Sequence, residues 1–126
     1  MSRHIKSIEE FQQSVESWAF RCFDQRSVLD TVERNFRFME EAIELVQACE
    51  MPKEDVLTLV NYVYDQPVGD IDQEVGGVLV TLIALCTAQF VNLEIVANQT
   101  WKEINAKMEA IHQSNKTKPR AGVSNV

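Results

Sequence analysis

Apolar residues in the first half of the chain recur every three to four positions, which is the spacing of an amphipathic helix. Residues 7–10, Ser-Ile-Glu-Glu, have the form of a capping box and predict a first helix over residues 8–25. A second helix is predicted from about Ser27 to Cys49. Its apolar face is formed by Val32, Phe36, Met39, Ile43 and Val46.

Three further helices are predicted in the second half of the chain. Pro52 is tolerated at a first helical position, so a third helix is predicted over residues 52–64. Asp70 is expected to cap a fourth helix, which is apolar nearly all round and is therefore expected in the middle of the assembly. Asn92 is expected to cap a fifth helix over residues 93–112.

The chain contains no convincing strand, because its β-branched runs are embedded in longer helical segments without turn residues to bound them. The predicted fold is all-α, with a four-helix-bundle core and an additional helix. Residues 1–112 are predicted to form a single domain, because a chain of 126 residues with 45% hydrophobic content has the size and apolar content to bury one core. Residues 113–126 contain almost no large apolar side chain and predict a disordered tail.

Charge and cysteine content limit the classes of partner and the cellular compartment that we expect. A net charge of -7 without a basic stripe would repel a phosphate backbone, so duplex nucleic acid is not expected as a partner. Three widely spaced cysteines with apolar neighbours suit reduced thiols. The N-terminus lacks an apolar signal core, and the longest apolar stretch, residues 75–84, is too short for a bilayer. We expect a cytoplasmic protein without membrane contact.

Acidic side chains are concentrated on two of these apolar helices. Glu40, Glu41 and Glu44 lie on the second predicted helix and Glu74 on the fourth. Like charges on hydrophobic helices are costly unless a cation collects them, which indicates a site for a hard divalent metal. The alternative is a solvated face on which Arg37 pairs with acidic residues four positions away, each pair contributing about 0.2–0.5 kcal/mol.

The fourth predicted helix also carries a stripe of small or polar residues, which leaves room beside Glu74. This stripe is formed by Asp70, Glu74, Gly77, Thr81, Ala84 and Ala88. Alternatively, Glu74 simply favours the positive end of the helix dipole, and Gly76 and Gly77 let another helix approach closely.

These two acidic segments together resemble the MazG-like family of all-α nucleoside triphosphate pyrophosphohydrolases, whose signature is EExxE followed by ExxD. The segments that carry the likeness are residues 34–48, RNFRFMEEAIELVQA, and residues 73–82, QEVGGVLVTL, which look particularly like the small MazG-like proteins of phages and bacteria. The resemblance extends in helix order and spacing from about residue 11 to residue 111.

The resemblance implies an enzyme that cleaves a nucleoside triphosphate between its α- and β-phosphates, giving a monophosphate and pyrophosphate. It implies Mg²⁺, or Mn²⁺ in its place, and assembly as a homodimer or homotetramer. Glu41 and Glu44 would bind the metal as the ExxE pair and Glu74 as the first residue of ExxD, while Glu40 would orient or activate water. Carboxylates suit these roles, because one can bind the metal while another takes a proton from water.

The chain departs from the family pattern at one position, since Gly77 stands where the family has aspartate. Asp70, one turn before Glu74, could replace that ligand directly or through water, and Thr81 could donate a hydrogen bond to a ligand. Otherwise the site binds fewer metals, or binds nucleotide without efficient turnover.

Other side chains are candidates for contact with the nucleotide. Trp18 could stack on a base, although aromatic residues at helical spacing more often pack in a core. Arg37, Lys102 and Lys107 could meet phosphates, and Asn35 lies in the same stretch as the first acidic cluster; the alternative is a solvated helix surface.

The leading hypothesis is therefore a Mg²⁺-dependent nucleotide pyrophosphohydrolase. Two alternatives remain. Gly77 suggests a catalytically weakened nucleotide-binding or regulatory protein, and the acidic stripe suggests a non-enzymatic helical protein that meets a basic partner.

Overall fold

The computed structural model of the chain describes residues 7–107, and every regular element in that range is a helix. The all-α prediction is thus confirmed there. Residues 108–112 of the last predicted helix and the predicted tail, residues 113–126, lie outside the described residues. The six helices are α1 (Ile8–Cys22), α2 (Gln25–Val28), α3 (Thr31–Ala48), α4 (Lys53–Tyr64), α5 (Ile71–Ala88) and α6 (Leu93–Ala106).

The first helix begins where the capping box predicts. Ser7 is extended, and its hydroxyl oxygen accepts a hydrogen bond from the backbone N–H of Glu10 at 3.1 Å. The helix ends at Cys22, three residues before the predicted end. It ends early because Asp24 caps a new helix: its carboxylate accepts from the backbone N–H of Ser27 at 2.7 Å.

The second predicted helix is wrong at its beginning, because the structure divides that region into α2 and α3. The break lies at Leu29 and Asp30. One carboxylate oxygen of Asp30 accepts from the backbone N–H groups of Val32 and Glu33, each at 3.1 Å. This local bond competes with continuation of the helix, as aspartate commonly does. The apolar spacing continues across the break and therefore gave no sign of it.

The third and fourth predicted helices correspond to α4 and α5. Pro52 is the N-cap of α4 rather than its first helical residue, so the helix starts at Lys53. Asp70 caps α5 as predicted, since its Oδ2 atom accepts from the backbone N–H of Gln73 at 3.2 Å. The last helix, α6, starts at Leu93 as predicted.

The described residues divide into two compact units, one of residues 7–39 with 94–107 and one of residues 40–93. In the first unit an aromatic cluster surrounds Trp101, which is only 7% exposed. The rings of Phe11 and Trp18 lie edge-on to Trp101, with ring centroids 5.8 and 5.9 Å away. The ring centroids of Phe23 and Trp18 are 5.6 Å apart. Such edge-to-face pairs add to the apolar burial that stabilises this unit.

The second unit contains the end of α3 together with α4 and α5, and none of its residues is fully buried. Along α5, Leu79, Leu82, Leu85 and Cys86 are half-buried and the other side chains are exposed. By length and composition alone, α5 is also the one helix of the described range that could cross a membrane. Within residues 7–107, then, the other helices leave the most apolar helix largely uncovered.

Two helices end in a left-handed residue that is not glycine. After α3, Glu50 has φ of 69°, and the backbone N–H groups of Met51 and Glu50 donate to Val46 and Gln47 at 3.0 Å each. This is the Schellman arrangement, in which glycine usually occupies the left-handed position because a Cβ is strained there. Phe90 holds the same position after α5, with φ of 57°.

Replacement of Glu50 by glycine is expected to stabilise the protein. It removes left-handed strain of about 1–2 kcal/mol, partly offset by glycine's greater freedom in the unfolded chain, so the free energy of unfolding should rise by up to about 1 kcal/mol. Urea unfolding followed by circular dichroism measures this change. Glu50→Ala keeps the strain and serves as the control; an equal gain in both variants would contradict the explanation.

Candidate metal-binding site

Three of the predicted site carboxylates lie on the last turns of α3. Glu40 is half-buried, whereas Glu41 and Glu44 are exposed. On a helix, residues three and four apart are neighbours with Cβ atoms about 5–6 Å apart, so Glu44 lies beside both other carboxylates on one face. The helix therefore presents a group of anionic oxygens in the unit of residues 40–93.

The two remaining predicted ligands lie at the beginning of α5, in the same unit. Asp70 is exposed and uses Oδ2 to cap the helix. An ionised carboxylate has about four lone-pair sites, so this bond does not exhaust its capacity to accept further partners. Glu74 is exposed and lies in the first turn of α5, where the positive end of the helix dipole favours an anion.

The side chain of Glu74 folds back over Gly69. A Cβ atom built at Gly69 would lie only 2.9 Å from Oε1 and 3.2 Å from Cδ of Glu74. The missing side chain at Gly69 therefore gives the carboxylate its space above the helix N-terminus. The sequence analysis did not identify Gly69, whose position just before the capping Asp70 is the only available signal.

Gly77, where the chain departs from the family pattern, has open space around it. Among the described residues, a Cβ at Gly77 would have no atom within 4 Å apart from its immediate helix backbone and chain neighbours. The hydroxyl of Thr81, suggested as a donor to a ligand, donates instead within its own helix, to the carbonyl oxygens of Gly77 at 2.9 Å and Val78 at 3.1 Å. The single hydroxyl proton of Thr81 is thus already donated to the α5 backbone.

The predicted nucleotide contacts all belong to the other unit. Trp18 is half-buried against Phe23 and Trp101, an arrangement typical of a packing residue. Arg37 is half-buried, and its Nε lies 3.2 Å from Oε1 of Glu33, which confirms the pair predicted at four residues. The remaining candidates, Asn35, Lys102 and Lys107, are exposed.

Among residues 7–107 no group of three or more histidine, cysteine, aspartate or glutamate side chains lies close enough to hold a metal ion. The donor chemistry nevertheless suits Mg²⁺ or Mn²⁺, because carboxylate oxygens are hard ligands and Mg²⁺ usually takes only one or two of them, with waters and substrate phosphates completing its shell. The residues that the resemblance assigns to the metal are Glu41 and Glu44 on α3 and Glu74 on α5, with Asp70 as the further donor; within residues 7–107 the structure does not bring three of them together.

Comparison with known proteins adds no relative. No protein-family model matches the chain, and neither a curated protein nor a solved structure matches it. The likeness to MazG-like pyrophosphohydrolases therefore rests on the acidic segments of α3 and α5, and the metal and nucleotide roles drawn from it stay predictions.

Replacement of Gly69 by alanine is expected to displace the Glu74 carboxylate without unfolding the chain. The new Cβ would meet only the far end of a flexible side chain, which can rotate away. If Glu74 binds metal, affinity for Mn²⁺ should fall by about 10-fold, the lower range for residues that orient ligands. Isothermal titration measures this loss.

The matched control for this prediction is the same substitution in a Glu74→Gln background. If Gly69 acts only through the Glu74 carboxylate, Gly69→Ala should cause no further loss of Mn²⁺ affinity once Glu74 has been replaced by glutamine. Equal losses from Gly69→Ala in both backgrounds would contradict a role for Gly69 in placing the carboxylate.

Proposed function

We propose that this chain is a divalent-metal-dependent nucleoside triphosphate pyrophosphohydrolase that releases a nucleoside monophosphate and pyrophosphate. The observation that carries the proposal is the carboxylate arrangement on an all-α chain: Glu40, Glu41 and Glu44 on α3, with Asp70 and Glu74 at the beginning of α5. Both sets lie in the unit of residues 40–93, and the segments that contain them resemble one family's acidic signature. The proposed fold is the family's four-helix-bundle core with an additional helix.

The roles of the side chains follow from their chemistry and placement. Glu41 and Glu44, neighbours on an exposed face of α3, provide metal ligands together with Glu74, and Asp70 contributes directly or through water. A bound divalent ion neutralises phosphate charge and lowers the pKa of water. Glu40 is half-buried beside these exposed carboxylates, and it is the group proposed to orient the attacking water and accept its proton.

Contacts with the nucleotide are the less constrained part of the proposal. Lys102 and Lys107 are exposed cations and Asn35 an exposed amide, so each is available for a phosphate or a base. Arg37 would have to exchange its contact with Glu33 for a phosphate, and Trp18 would have to leave part of its aromatic packing. Lys102, Lys107 and Asn35 are therefore the first residues to test for substrate binding.

The proposal includes a cytoplasmic location and assembly as a homodimer or homotetramer. The uncovered apolar surface of α5 supports assembly, because large exposed apolar patches mark interaction surfaces. Three cysteines without a disulfide among the described residues are in keeping with a reducing compartment.

Pyrophosphate release from a panel of standard and modified nucleoside triphosphates, with Mg²⁺ or Mn²⁺, tests the function. Release should require metal and fall by about 100-fold or more in Glu41→Gln and in Glu74→Gln, since each loses a charged ligand while keeping its size. Glu54→Gln is the matched control, because Glu54 is an exposed carboxylate in the first turn of α4 in the same unit. Equal activity in all four proteins would contradict the proposed site.

A second candidate function is nucleotide binding without efficient turnover. Gly77 favours it, because no side chain among residues 7–107 lies within 4 Å of a Cβ built where the family has a carboxylate-bearing residue. This candidate predicts nucleotide affinity that depends on Glu41 and Glu74, with no pyrophosphate released. A helical interaction protein would show neither metal dependence nor nucleotide binding.

A further inference from the structure

We draw no further inference here: the strongest candidate, the apolar face of α4 on which Leu57, Val60 and Tyr64 are 41–85% exposed, carries nothing because no contact among residues 7–107 shows what covers it.

Discussion

The uncovered apolar surface of α5 is the constraint on which the rest of this structure depends. Burying a valine, leucine or isoleucine side chain contributes about 1.5–3 kcal/mol, and in the described chain only Trp101 is buried. Net stabilities of folded domains are about 5–15 kcal/mol, so the loss of several such contributions is decisive. The second unit, residues 40–93, thus keeps apolar surface that its own helices do not cover.

The acidic residues divide into two groups with different roles. Asp24, Asp30 and Asp70 each accept backbone N–H groups at a helix N-terminus, and these bonds set where α2, α3 and α5 begin. The glutamates at the end of α3 lie together on one helix face. The excess negative charge is therefore partly structural, and the remainder, with Glu74, is the part that the proposed divalent cation would compensate.

Periodicity predicted the existence of the long helices well, because apolar spacing and capping residues are both local properties. It failed where local bonds compete with periodicity, as at Asp30, whose carboxylate ends one helical segment and begins another without disturbing the apolar pattern. It also gave no sign of the left-handed residues Glu50 and Phe90, since glycine, the usual signal for that conformation, is absent from both positions. The acidic cluster of α3 was readable because residues three and four apart on one helix must be neighbours.

The sequence by itself determined the all-α class, the capped beginnings of α1 and α5, and the presence of two acidic helices, because each depends on residues within a few positions of one another. Only the tertiary structure decided that Trp18 packs against Trp101 and that α5 is left exposed. These depend on which surfaces meet after the helices have formed. The sequence shows that α5 is apolar, but only the folded chain shows how little of α5 the neighbouring helices of the described residues cover.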